Sequence, residues 1–261
     1  MGDGRVLPTV RRGWAGLLDL VYPPHCVACG RMGAWLCAAC LEGYPAFRPP
    51  WCLRCGRPLA RGRVCPACRR ARESAASSLD ALRSVGPHAG ALRAAVHALK
   101  YEGVRVLAAP LAALMADTYA LASPAVDVVI PVPLHPRRIR RRGYNQAVLL
   151  AQGVAERLDL PLAEDWLRRE RDTASQVGLT RTERWTNVHG AFRVVASADA
   201  AALAGRRVLL VDDVCTSGAT LRAAAGTLHQ AGATAVAALT LTRAPIGADG
   251  RDCDAVRPAA R

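Results

Sequence analysis

Apolar residues recur in two rhythms along this chain, and each change of rhythm marks a boundary. From Leu79 to Thr242, short runs of β-branched and aliphatic residues alternate with longer segments whose apolar residues return every three or four positions. The first pattern is that of a buried strand, the second that of a helix with one apolar face. Val126–Pro133, Val208–Val214 and Ala235–Thr242 read as strands, with a weaker one near Leu160–Leu167. Ala91–Tyr101 carries Leu92, Val96 and Leu99 on one side and reads as a helix, as do Val106–Leu121, Asn145–Leu158 and Leu221–Ala231. Strands and helices in alternation predict an α/β fold, a doubly wound and mainly parallel sheet. A long polar stretch, 168–190, separates this half from Ala191–Val195.

Before Leu79 the rhythm is absent and cysteine takes over. Eight of the ten cysteines fall in four Cys-x-x-Cys pairs: Cys26/Cys29, Cys37/Cys40, Cys52/Cys55 and Cys65/Cys68. Thiolates spaced this way on a tight turn grasp one tetrahedral Zn²⁺ at ~2.3 Å, and two pairs close a site. Gly30 and Gly56, each just after a pair, suit the turn of a zinc knuckle. A disulfide framework would also use an even count, but such repeats in a cytosolic chain favour metal. A redox pair fits poorly, since no thioredoxin-like βαβ pattern surrounds the four copies. Two structural zinc ions are therefore expected, with no open position for catalysis. Sequential pairing needs only short hairpins and is favoured over a cross-braced arrangement. Cys215 and Cys253 stand outside the pattern.

These boundaries predict an N-terminal arm with a short helix over 1–22, a double zinc ribbon at 23–70, a linker to 78, the α/β domain at 79–244 and a disordered tail at 245–261. Asp19 interrupts the apolar run Trp14–Val21 and cysteine pairs follow at once, which argues against a secretion signal. No apolar run approaches the ~20 residues of a membrane span. A cytoplasmic protein is expected.

The candidate chemistry is densest at one strand end. Val208–Val211 is followed by Asp212 and Asp213, then by Thr216, Ser217, Gly218, Ala219 and Thr220, then by a helix. In open α/β sheets ligands bind beyond the carboxyl ends of the strands. Backbone N–H groups at a helix N-terminus cradle a phosphate, and carboxylates accept hydrogen bonds from sugar hydroxyls. One loop thus offers both halves of a ribose phosphate site. The plain alternatives are a buried strand ending in a solvated turn, or a metal-binding acid pair.

Charge widens the picture. The formal net charge is +14, and Lys100 is the only lysine among basic residues that are otherwise arginine. Such a balance attracts polyanions, whether nucleic acid or a phosphorylated small molecule. Lys100-Tyr101 ends a helix, where a cation is stabilising in its own right. The loop after the strand at Val126 carries Arg137, Arg138, Arg140, Arg141 and Arg142. Guanidinium forks grip phosphate oxygens, although a solvated basic run is the expected fate of at least two of them. Asn145 and Gln146 open the next helix, as anion ligands or as helix caps.

An ordered set of motifs now stands together: the four knuckles, Ala98-Leu99-Lys100-Tyr101, Pro131-Val132-Pro133, Arg142-Gly143-Tyr144-Asn145-Gln146, Gln176-Val177-Gly178-Leu179 with Arg184 and Asn187, and the acid-pair loop. In this order, over about 17–243, the chain resembles the ComF/GntX family of phosphoribosyltransferase-like proteins with an N-terminal double zinc ribbon. Ser217 stands where that family often has threonine, and keeps a hydroxyl. The resemblance implies a type I phosphoribosyltransferase fold binding phosphoribosyl diphosphate or a related ribose phosphate. Asp212 and Asp213 would hold the ribose hydroxyls as the catalytic pair, and Thr216–Thr220 the 5′-phosphate. Lys100, Arg137, Arg138, Arg142, Asn145 and Gln146 would lie toward the pyrophosphate, with Mg²⁺ accompanying it. Gln176–Asn187 resembles the loop that closes over substrate in that fold. An enzyme of this kind would transfer a phosphoribosyl group to a nitrogen nucleophile. The resemblance further implies a role in DNA uptake and natural transformation, beside single-stranded DNA and a helicase-like partner. The alternative is a non-enzymatic module binding single-stranded nucleic acid through ribbons and basic surface. Its stacking aromatics would be few, namely Trp51, Tyr144 and Trp185.

Overall fold

The computed structural model describes residues 23–66, 68–69, 79–121, 123–171, 190–195 and 202–244. The expected N-terminal helix, the linker, the closing loop at 176–187 and the tail lie outside the described residues.

Four strands form a parallel sheet in the order β1 (Ala81–Pro87), β6 (Ala235–Arg243), β5 (Arg207–Cys215), β2 (Val128–Pro131). Leu162 adds a single parallel bridge to Val129 on the far side of β2. Side chains of a strand alternate between faces, and the core divides accordingly. Leu209 and Val211 of β5 pack on one face with Leu92, Leu111 and Leu150, from α2 (Gly90–His97), α3 (Ala108–Leu121) and α5 (Gln146–Leu158). Val208 and Leu210 pack on the other with Leu221 and Leu228 of α6 (Ala219–Gln230) and with Phe192. Phe192 belongs to a small antiparallel pair, β3 (Leu167–Arg169) and β4 (Phe192–Val194). Both faces are covered, so the fold is doubly wound and parallel. Among the described residues, no helix is long and apolar enough to cross a membrane.

The crossovers locate the ligand crevice. From β1 through α2 and α3 to β2, and from β2 through α5 to Leu162, the chain moves one way along the sheet on the first face. From β5 through α6 to β6 it moves the opposite way on the second face. A uniform crossover hand produces this pairing of direction with face. The connections therefore leave β2 and β5 in opposite directions, and a crevice opens beyond the carboxyl ends of those two strands.

Three elements differ from the sequence expectations. β1 went unpredicted because Arg83 and Ser84 interrupt its apolar run. Arg83 is nevertheless 2% exposed. Its guanidinium donates to the carbonyls of Leu53 (3.0 Å) and Leu82 (2.9 Å) and lies 5.5 Å from the Trp51 ring centroid. The arginine-rich loop contains a helix, α4 (Pro136–Arg142), with Pro136 in its first turn and Gly143 in the left-handed conformation at its end. The strand expected near Leu160–Leu167 reduces to the bridge at Leu162, and β3 begins at Leu167.

The cysteine-rich segment lies against β1. Ala38–Glu42 forms a short helix within it, α1. Leu82 N donates to Arg54 O (2.7 Å) and Phe47 N to Val85 O (2.8 Å). Arg243, ending β6, donates to the Cys55 carbonyl. Gly56 has φ +69°, and a Cβ there would stand 2.2 Å from the Leu82 carbonyl oxygen, so only glycine fits both the turn and the approach.

Candidate functional site

The metal sites form first from local geometry. The first knuckle of each tetrad repeats the same bonds: Gly30 N to Cys26 O and Gly56 N to Cys52 O (both 2.8 Å), Cys26 N to Arg31 O (2.8 Å) and Cys52 N to Arg57 O (2.7 Å). The Sγ atoms of Cys26, Cys29, Cys37 and Cys40 lie within 4.8 Å of one another, as do those of Cys52, Cys55, Cys65 and Cys68. Pairing is therefore sequential. The Cys29–Cys37 and Cys55–Cys65 sulfurs are 3.7 and 3.8 Å apart. Four bonds of ~2.3 Å in a tetrahedron place sulfurs about 3.8 Å apart, whereas a disulfide requires ~2.05 Å. Backbone N–H groups of Cys37 and Cys65 point at the sulfurs of Cys26 and Cys52, both at 3.4 Å, as thiolate ligands require. Both tetrads fit a structural zinc ion.

The second site lies at the carboxyl ends of the sheet. Neighbouring residues of a strand point to opposite faces, and the two aspartates of β5 divide in this way. Asp213 is 3% exposed, and Lys100 Nζ lies 2.8 Å from its Oδ2. Lys100 arrives from the first face on a π-helical turn, Ala98–Glu102, that extends α2 and ends at Gly103 in the left-handed conformation. Such turns reposition side chains and recur at functional sites. His88 lies close by, its Nδ1 2.9 Å from Thr242 Oγ1, and Thr242 Oγ1 donates to the Asp213 carbonyl (3.5 Å). Burial, with the charges of Lys100 and Arg93, holds the His88 imidazole below its usual range.

Asp212 is half-buried and stands in register with Thr240, which is itself in register with Ser84. Its Oδ1 accepts from Asp213 N (2.8 Å). Burial and the adjacent Asp213 carboxylate push the Asp212 carboxyl up to about 7, with Lys100 and Arg169 opposing. Because the folded protein holds this proton more tightly than the unfolded chain does, the stability it contributes is full below about pH 4 and lost as pH rises through about 7. Asp212→Asn, neutral throughout, is expected to gain on the wild type by about 1–3 kcal/mol between pH 5 and 8. That range discounts the ~1.4 kcal/mol per pH unit of linkage for partial solvation. Urea denaturation at both pH values reads it, and a constant difference would show an ordinary aspartate.

One turn of chain later comes the phosphate loop. Gly218, φ +75°, is the N-cap of α6 and carries no side chain to cap the helix. Ala219 N reaches Ser217 Oγ at 3.4 Å, and Arg222 donates to the Ser217 carbonyl (3.1 Å), bracing the loop. The first turn of α6 and its dipole thus point into the crevice. Cys215 is 2% exposed, and burial pushes its thiol up.

Across the crevice, Arg142 donates to Gln146 Oε1, and its guanidinium lies 5.4 Å from the Tyr101 ring centroid. Gln146 is buried. Asn145 caps α5, Oδ1 accepting from Ala147 N and Nδ2 donating to Val132 O, both at 3.0 Å. Arg137 is exposed on α4 and Arg138 half-buried. Lys100, expected toward the pyrophosphate, makes its ion pair with Asp213 at the edge of the same crevice. His88, Arg169, Arg222 and Tyr101 join the site neighbourhood without having been singled out as site residues.

Comparison with known proteins gives this geometry its context. A family described as double zinc ribbon domain matches residues 17–69, and one described as phosphoribosyl transferase domain matches 144–257. Competence protein F of Haemophilus influenzae is 32% identical over 217 residues, 80% of this chain and 90% of the relative. The chain belongs to the competence protein F (ComF) family. DNA utilization protein YhgH of Salmonella typhi is 33% identical over 84% of this chain and 88% of its own. Competence protein ComFC of Bacillus subtilis is 28% identical over 80% and 84%. These relatives therefore match most of the chain.

Proposed function

We propose that this ComF-family chain binds a ribose phosphate, phosphoribosyl diphosphate foremost, and acts in DNA uptake; the names of its relatives, competence protein and DNA utilization protein, support that pathway. One observation carries the reading: Asp212 and Asp213 lie near the carboxyl end of β5 beside the crevice, a few residues before the glycine-capped N-terminus of α6. Carboxylates accept the 2′ and 3′ hydroxyls of the sugar, and the N–H groups of Thr216–Thr220 take its 5′-phosphate. In this reading 79–244 is the sugar phosphate unit, and 23–70 is a zinc-folded unit docked on it.

Transfer to a nitrogen nucleophile is the reaction such a cleft serves. The bond from C1 to the diphosphate oxygen breaks, a C1–N bond forms, and diphosphate leaves with both electrons. Lys100 and Arg142 flank the crevice and offset charge on that leaving group. The half-buried Asp212 carboxyl is the group here suited to face a magnesium ion, which would supply further charge compensation on the diphosphate.

The test is a thermal shift. Phosphoribosyl diphosphate with Mg²⁺, at a hundredfold excess over Kd, is expected to raise the wild-type Tm by about 5–10 °C. Asp212→Asn/Asp213→Asn should show little or no rise. Equal shifts in the two proteins would remove the site assignment.

A further inference from the structure

Between the second ribbon and the phosphate loop lies a partly enclosed cavity of about 60 Å³. Arg54 and Cys55 of the ribbon form one wall, Ser217 and Arg222 form the other, and Arg243 ends β6 between them. Leu82, the second residue of β1, also lines it. The cavity therefore runs back along the flank of the sheet on the side of β1 and β6, whereas the crevice opens at β2 and β5.

Guanidinium groups from three separate segments meet at this space, and among the described residues no carboxylate lines it. Arg54 donates to the Cys68 carbonyl (3.3 Å), Arg222 to the Ser217 carbonyl (3.1 Å) and Arg243 to the Cys55 carbonyl. Carbonyls hold these groups in place without neutralising their charge. Zinc on four thiolates keeps a net negative charge and answers part of it. The positive end of the α6 dipole adds to what is left. Arg243 Nε is buried with no hydrogen-bond partner, a state that folded proteins relieve with a water or an ion. A buried water needs ~10–15 Å³, so the cavity has room for about four, as many as a phosphate ion has oxygens. We propose that this cavity is a second anion site, which takes one oxyanion of phosphate size and ties the zinc ribbon to the phosphate loop. It goes beyond the ribose phosphate reading and does not rest on it, since neither Arg54 nor Arg243 is asked to touch the sugar.

A phosphorus NMR titration of inorganic phosphate into the full-length zinc-loaded chain tests it, at an ionic strength fixed with chloride. Losing one charged donor should weaken phosphate binding about tenfold. Arg54→Gln and Arg243→Gln are each expected to show that loss with both zinc ions retained, and Arg243→Lys, which keeps the charge, should recover part of it. The substitutions lie on different segments, and melting curves show that the variants compared are folded. Saturating ribose 5-phosphate should leave the phosphate bound. Phosphate held equally by wild type and both glutamine variants, or not held at all, overturns the second site. Full displacement by ribose 5-phosphate overturns it too, because the ion would then sit in the crevice. If ribose 5-phosphate fails to bind while phosphate binds and the glutamine variants lose it, the ribose phosphate reading falls and the second site stands.

Discussion

Cys52→Ser is expected to unsettle far more of the molecule than the ribbon that contains it. Structural zinc in small Cys-ligated modules supplies about 10–16 kcal/mol, comparable with the ~5–15 kcal/mol that holds a whole domain folded. In the second tetrad this energy is spent beside β1: Arg54 O accepts from Leu82 N, Leu53 O from Arg83, and Cys55 O from Arg243. Losing the knuckle leaves these donors unpaired, at about 1–3 kcal/mol for each that stays buried. Arg83 is the most costly, since its guanidinium is buried and gives one of its hydrogen bonds to the Leu53 carbonyl of this ribbon. The variant should carry about one zinc per chain in place of two and melt more than about 10 °C lower. Hydrogen exchange at the Leu82 amide should accelerate with it. Cys29→Ser loses one metal as well, but Cys29 is exposed in the first tetrad, and a smaller fall in Tm is expected. Equal melting of wild type and Cys52→Ser would refute the coupling between metal and sheet.

Asp213→Ala should be the most damaging single change within the crevice. It strands the Lys100 ammonium, whose side chain is only 18% exposed, against a site built for its counter-charge. Removing one partner of a buried pair costs about 3–5 kcal/mol, and partial exposure of Lys100 lowers this to about 2–4 kcal/mol. Lys100→Met leaves the more deeply buried carboxylate alone, at a similar cost. Combining Lys100→Met with Asp213→Ala should cost clearly less than the sum, because neither charge then lacks a partner. Denaturant melts of the four proteins give the coupling energy directly, and strict additivity would show that the 2.8 Å contact contributes nothing.

Much of the fold was legible in the sequence because its central strands are continuous apolar runs and its helices keep a clean stripe. β5, β6, α5 and α6 were all anticipated to within two residues or so. β1 was not, because a buried Arg83 is tolerable only through carbonyls and an indole supplied some thirty residues earlier, which no local pattern announces. α4 was missed although its signals were present, since Pro136 and Gly143 bracket it as start and stop. Between those brackets Ile139 is the only apolar residue, so no apolar stripe marks the helix. The cysteine spacing fixed ligand identity but left the pairing open, and the sulfur distances resolve it. Within the crevice, the acid pair and phosphate loop were readable as one contiguous motif. The approach of Lys100 to Asp213 spans more than a hundred residues, and only its standing as the sole lysine hinted at a special place.

The docking of the second ribbon on β1 has a consequence for how the chain survives in a cell. β1 is an edge strand, and its outward N–H of Leu82 and C=O of Val85 are occupied by Arg54 and Phe47. An uncovered edge is a template for another chain to pair with, and natural proteins guard such edges. Here the guard is a segment built around two cysteine tetrads that fit zinc, and modules of this kind draw their folding energy from the metal. Zinc supply would then act as a safeguard against self-association, since a chain made under zinc starvation would present β1 bare.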